Sequence, residues 1–255
     1  MQQKAGLNDA LELMKDLRRR CEWDAAQTHE SLRPYLIEEA YEVDDAIRSG
    51  SDQALRAELG DLLLQVLFHS VVAEERNAFD FVDVVEGFLH KMKSRHPHLY
   101  EGGERQSWEG MKAKQRESIV DGLPADLPSL HRAFRLQDRA AGVGFDWPDA
   151  AGPSAKIEEE LAEVRNELAR GAQPGAHGVP DPKVEEELGD LLFSVVNLCR
   201  KLGVHPSLAL DKANVKFATR FQAVESLARE RGVDVQTAGL ERLDQLWDEA
   251  KTRER

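Results

Sequence analysis

Eight carboxylates carry the clearest chemical signal in this chain. Glu187 and Asp190 stand three apart in EEELGDLLFSVVNLCRKLG (185–203), and Glu58 and Asp61 do the same in AELGDLLLQVLFHSVVAEE (57–75). Glu160 and Glu163 repeat the spacing in IEEELAEVRNEL (157–168), as do Glu39 and Glu42 in LIEEAYEVDDAI (36–47). Residues three apart are neighbours on one helix face. Two such helices packed together would gather Glu39, Glu42, Glu58 and Asp61 in one place, and Glu160, Glu163, Glu187 and Asp190 in another. Four carboxylates in a partly buried site repel one another and lose hydration. They must be protonated, paired with Lys or Arg, or bound to a cation. Oxygen-only ligands select hard ions, Mg2+, Mn2+ or Ca2+. A di-iron bundle needs Glu-x-x-His, and none of the eight histidines has Glu three residues before it. No Cys or His pair has zinc-ligand spacing.

The elements that must hold these acids are helices. Leu36, Ala40, Val43 and Ile47 form one apolar stripe, and Ile157, Leu161, Val164 and Leu168 form another. On a helical wheel Glu187, Asp190, Ser194 and Asn197 share a narrow stripe. Leu188, Leu192, Val195, Val196 and Cys199 occupy the other half, which is expected to be core. Glu58, Asp61 and Gln65 repeat the polar stripe. Each acidic hairpin is followed by a basic segment read as a third helix, FLHKMKSRHPHLY (88–100) and DKANVKFATRFQAVE (211–225). A last helix is expected in LERLDQLWDEAK (240–251). The fold expected is all-α, two tandem helical bundles over 1–120 and 153–255 with a Pro- and Gly-rich linker at 121–152. The connector GAQPGAHGVPDPK (171–183) reads as a loop.

The net charge of −13 argues against a nucleic-acid coat and is compatible with a cation site. The longest apolar run is too short for a membrane span. Cys21 and Cys199 read as reduced thiols, so a cytoplasmic location is expected, with no nucleic-acid or membrane partner.

The order EExxE, connector, ExxD resembles the MazG-type nucleoside triphosphate pyrophosphohydrolases. CEWDAAQTHESLRPYLIEEAYEV, RHPHLY, GVGFDW and KANVKF extend the likeness over nearly the whole chain. CEWD departs from the family's usual Cys-Pro-Trp-Asp. The resemblance implies two MazG-like helical bundles and hydrolysis of NTPs to NMP and pyrophosphate in nucleotide-pool house-cleaning. It further implies Mg2+ dependence and helical dimers or higher oligomers, with a homodimer expected. It places metal ligands at Glu160, Glu163, Glu187 and Asp190, and nucleotide contacts at Lys156, Lys183, Lys216, Arg220 and Trp247. A base or water-orienting carboxylate is expected at Glu159, or at Glu160 or Glu187 themselves.

The cations make physical sense, because an acidic site repels a triphosphate without them. Lys216 and Arg220 are i, i+4 on one helix, and Lys91 and Arg95 have that spacing in the first half. The halves differ. Tyr35 stands where Lys156 does and Ala54 where Lys183 does, so the second half is expected to be the active one. A nucleotide sensor that does not hydrolyse, or a helical dimer scaffold, would share the acids without the chemistry.

Overall fold

A computed structural model describes residues 6–100, 116–171 and 181–253. Among these residues there are eleven helices and no strand, as the helical periodicity predicts. They divide into two compact units, Met1–Arg105 and Gln106–Arg255.

The first unit contains α1 (Leu7–Arg20), α2 (Glu22–Ala26), α3 (His29–Ser49), α4 (Asp52–Glu75), α5 (Phe81–Ser94) and α6 (Pro97–Tyr100). Thr28 caps α3 by accepting from the Ser31 N–H at 3.2 Å, and α3 ends at Gly50, whose φ of 68° suits glycine. Ser51 then caps α4 through the Ala54 N–H. This two-residue joint folds α4 back along α3, bringing their acids together. Met14, Leu32, Leu67, Phe68, Val71, Val72 and Phe81 form the core at the other end of α4. The buried Arg18 guanidinium ties α1 to the rest by donating to the Glu75 carboxylate and to the Asp24 and Gln27 carbonyls. The helix expected over 88–100 is interrupted. α5 stops at Ser94 and α6 starts at Pro97, because a proline disfavours helical backbone at the residue before it, here His96. Lys91 therefore sits in the last turn of α5 and Arg95 at its C-cap.

The second unit contains α7 (Ser129–Gly142), α8 (Ala151–Ala169), α9 (Pro182–Lys201), α10 (Pro206–Glu230) and α11 (Gly239–Arg253). The stretch read as a linker falls inside this unit. Leu130, Ala133, Phe134, Gln137 and Ala141 make an i, i+3, i+4 face that buries α7 against α9 and α10. Buried Arg139 of α7 donates to the Ile119 and Asp121 carbonyls at 2.7 and 2.9 Å, fixing the preceding loop. α8 packs along α9, and α10 packs on α11 through Val224, Leu227, Ala228, Leu246 and Ala250. Asp181 caps α9 by accepting from the Lys183 N–H at 2.9 Å, with Pro182 in the first turn. Residues 172–180 of the expected loop lie outside the described residues.

One expectation fails in both units. The apolar half of the α9 wheel is not core. Val196 is 1% exposed, but Leu188, Leu192 and Val195 are 43%, 58% and 40% exposed. Leu36, Ile47 and Leu168 of the two stripes are exposed as well. The wheel identifies a face but not what covers it. The neighbours of α9 meet the side that carries Glu187, Leu191, Ser194 and Leu198; on the other half Val196 is buried, while Leu188, Leu192 and Val195 stay exposed. Among the described residues no helix is long and apolar enough to cross a membrane.

Candidate metal and nucleotide site

In the second unit, one carboxylate oxygen from each of Glu160, Glu163 and Glu187 lies within 4.8 Å of the other two. In the first, Glu39, Glu58 and Asp61 do the same. Hard cations take oxygen ligands at about 2.0–2.6 Å. Two ligands on opposite sides of one ion are then about 4–5 Å apart, so either trio fits a single divalent cation. The fourth member of each set stands just outside its trio. Asp190 lines the same cavity as Glu160, and Glu42 shares a side-chain hydrogen bond with Glu39.

The electrostatics of both clusters call for positive charge. The Glu163 carboxyl is held above its usual range, first by a hydrogen bond with Glu160, then by desolvation and the charges of Glu160 and Glu187. Desolvation raises Glu39, followed by the charges of Asp61 and Glu42. Lys156 is where the units part. Its ammonium lies 2.6 Å from Glu160, whose side chain is 4% exposed, and 2.9 Å from Glu159. Those two carboxylates raise the Lys156 pKa well beyond that of a free lysine, Glu160 most strongly. Glu159 and Glu160, adjacent in sequence, lie about 100° apart around the helix. One lysine spans both, because Lys156 lies three residues from one and four from the other. Tyr35, at the matching place in α3, supplies no such charge.

Glu160, Asp190 and Lys156 open into a cavity of about 790 Å3. Asp190, Ser194 and Asn197 line it from α9 in the order the wheel predicts, with Phe193 beside them. Gln137, Phe145, Asp146, Trp147 and Arg200 complete much of the wall. None of these was singled out from sequence. GVGFDW stood only as a point of likeness, and its Asp146 turns out to pair with Arg200 and with Lys201 at 3.1 Å. Arg200 holds the Asp146 carboxyl below its usual range.

The remaining expected contacts are not on the cavity wall. Lys183 lies in the first turn of α9 and Lys216 is exposed on α10. The Arg220 guanidinium lies 5.0 Å from the centroid of the Trp247 ring, and Phe217 lies 5.3 Å from that ring on its own contact. Trp247 also packs on the α10–α11 core.

A pH prediction follows from the raised carboxyls. A folded-state pKa above the unfolded one means that folding takes up protons, so ionising Glu39 and Glu163 as pH rises costs stability. A bound divalent cation removes that cost and competes with protons for the same oxygens. Mg2+ well above its Kd is expected to raise the melting temperature by about 3 °C at pH 8 and by clearly less at pH 5. Differential scanning calorimetry at both pH values checks this.

The described residues are all-α, with two acidic helical hairpins that could each hold a metal ion, one of them with a lysine at its carboxylates. The family model of the MazG nucleotide pyrophosphohydrolase domain matches residues 27–100. The chain is 44% identical to the nucleoside triphosphate pyrophosphohydrolase/pyrophosphatase MazG of Thermotoga maritima, over 91% of this chain and 89% of that protein. It is 38% identical to the nucleoside triphosphate pyrophosphohydrolase of Escherichia coli K12, over 96% and 95% respectively. A nucleoside triphosphate pyrophosphohydrolase of Mycobacterium tuberculosis is 39% identical over 62% of this chain and half of its own length. The chain belongs to the MazG nucleotide pyrophosphohydrolase family, whose members are metal-dependent enzymes.

Proposed function

We propose that this chain hydrolyses nucleoside triphosphates to nucleoside monophosphate and pyrophosphate, cleaning the nucleotide pool, with the main catalysis in the second unit. The observation that carries the reading is Lys156 between Glu159 and Glu160, at a cavity that also presents Asp190. Glu160, Glu163, Glu187 and Asp190 would hold Mg2+, or Mn2+ in its place. When bound, the ion supplies charge neutralisation for phosphate oxygens and a more acidic water.

The chain's own groups do the rest. Lys156 exchanges a carboxylate for a substrate oxygen and offsets charge on the departing pyrophosphate. Glu159, exposed and released from Lys156, accepts a proton from the attacking water. Lys183, Lys216, Arg220 and Trp247 enter as further nucleotide contacts on the strength of the family motif alone. The first unit, with Glu39, Glu42, Glu58 and Asp61 and with Lys91 and Arg95 as its cations, is weaker, selective for another nucleotide, or structural.

The exposed row Leu188, Leu192 and Val195, with Val215 and Phe217 exposed on α10, supports a homodimer that covers these faces. The decisive experiment incubates the full chain with a panel of NTPs and Mg2+ and separates the products. NMP with pyrophosphate is the expected outcome; NDP with phosphate, or no turnover, sinks the proposal. Light scattering on the same preparation should give twice the chain mass, and a monomer would rule out the homodimer.

A further inference from the structure

The loop between α7 and α8 is braced against three helices. Gly144 turns the chain out of α7 with a φ of 89°, and the Phe145 N–H donates back to the Ala140 carbonyl at 3.0 Å. The Asp146 carboxylate accepts from the Arg200 guanidinium and from Lys201 Nζ at 3.1 Å, both in the last turn of α9. The side chains of Asp146, Arg200 and Lys201 are 22%, 10% and 14% exposed, so water and salt screen these ion pairs little. Lys201 Nζ also donates to the Trp147 carbonyl at 2.5 Å, and the Trp147 N–H donates to the Asp146 carboxylate at 2.9 Å. The Trp147 ring lies over Gly152 in the first turn of α8, so close that a Cβ there would sit 2.5 Å from ring carbons.

The loop grips the same ridges that carry the site. Gly152, Lys156 and Glu160 are spaced i, i+4, i+8 along α8. Asp190, Ser194, Asn197 and Lys201 are spaced i, i+4, i+7, i+11 along α9. At about 1.5 Å per residue, the anchor on α8 is about 12 Å from Glu160 and that on α9 about 16 Å from Asp190. The cavity runs over this interval, from Glu160 and Asp190 to Phe145, and the interval suits one ribose and one base. Phe145 is 83% exposed. A lone exposed apolar side chain is ordinary on a protein surface. This one lines the cavity, and the backbone that carries it is fixed by its own N–H and by both neighbours. Such a platform costs little further ordering when a ligand settles on it. Leu136 and Phe193 add apolar wall.

We propose that Phe145 packs on the nucleoside of the substrate and that Asp146 is the positioning residue that keeps it there. The inference rests on the pyrophosphohydrolase reading for the triphosphate, which the Glu160, Asp190 and Lys156 end of the cavity would receive. The contact is an apolar ring against a flat heterocycle, and it needs no hydrogen bond to a base edge. Asp146 acts through the loop. It answers the charges of Arg200 and Lys201, and so locks the loop to α9. Without its charge two cations are left facing each other at the anchor, and Phe145 loses its fixed place.

The test is calorimetric titration of the full chain with Mg2+ and two probes, the non-hydrolysable α,β-methylene analogue of ATP and inorganic tripolyphosphate, which has no nucleoside. Phe145→Ala should weaken the analogue about fivefold and leave tripolyphosphate within about twofold. Asp146→Asn keeps the shape, removes the charge and should weaken the analogue about threefold, again sparing tripolyphosphate. Both substitutions act on one contact. The double variant should therefore bind the analogue as Phe145→Ala does, rather than about fifteenfold more weakly than wild type. In pyrophosphate release from ATP, the same losses should appear in KM, with kcat within about twofold. Unchanged analogue affinity in Phe145→Ala overturns the contact. Equal loss of both probes also overturns it, because the effect then lies at the phosphates. Additive losses in the double variant overturn the positioning role of Asp146. If Asp146→Asn fails to fold, Lys201→Met, which removes the anchor to the Trp147 carbonyl, takes its place in the same cycle. Should no nucleotide release pyrophosphate while the analogue responds as above, the pyrophosphohydrolase reading fails and the nucleoside contact stands.

Discussion

Glu187→Gln is expected to lower NTP hydrolysis by roughly three orders of magnitude, while Glu58→Gln leaves it within about twofold. The substitution keeps side-chain shape and removes one anionic oxygen from the trio Glu160, Glu163 and Glu187. Three decades in rate correspond to about 4 kcal/mol of lost transition-state stabilisation, the scale of one ligand to a catalytic cation. Glu58 belongs to an equally tight trio with Glu39 and Asp61. That trio has Tyr35 and Ala54 where the second unit has Lys156 and Lys183, so it can attract a cation but has no lysine at these two places to offer phosphate. Removing Glu187 also relieves repulsion on Glu163. The metal-free variant should therefore melt no lower than wild type and should lose most of its Mg2+-induced rise. Steady-state kinetics with circular dichroism on both variants checks the assignment. Equal losses from the two, with folding intact, would place the chemistry in both units and overturn it.

The acids were legible because their chemistry and their spacing agree. Apolar periodicity named the helices, three-residue spacing put carboxylates on shared faces, and charge repulsion demanded a cation. What lay hidden depended on partners that local pattern does not specify. The α7 stripe at Leu130, Phe134 and Gln137 was visible as amphipathic, yet the prolines and glycines around it read as linker. Only tertiary packing shows it closing the cavity wall. Gln137 itself looks like a polar interruption in that stripe, and its meaning comes from the Phe193 carbonyl 56 residues away. Likewise Leu188 and Leu192 read as core, because a wheel cannot distinguish a face covered by the chain from one left bare. Pro97 was in plain view, and its veto on helix at His96 was the signal that could have split the 88–100 segment.

Lys156→Met should separate metal binding from catalysis more sharply than any ligand variant. Lys156 is bonded directly to buried Glu160, and it opposes the repulsion felt by Glu163. Its loss leaves three carboxylates facing each other with no counter-charge. The metal-free variant is then expected to melt below wild type at pH 8. It should recover much of the difference at pH 5, where a proton on the carboxylates stands in for the ammonium. The sign is fixed by linkage. Wild-type Lys156 has a raised pKa, so its contribution is complete below the ordinary lysine value and constant between pH 5 and 8. Any change in that window must come from the acids. Mg2+ no longer competes with an ammonium in the variant, so its stabilising shift should be larger than in wild type. Catalysis should move the other way, with kcat/KM falling by about a hundredfold as charge on the leaving pyrophosphate goes unanswered. Lys156→Arg keeps the charge and should restore metal-free stability, while its bulkier fork recovers turnover only in part. Calorimetry and pyrophosphate release on the same three proteins read both effects. A Lys156→Met variant with a weaker Mg2+ response and wild-type turnover would make the lysine a prop for Glu160 and nothing more.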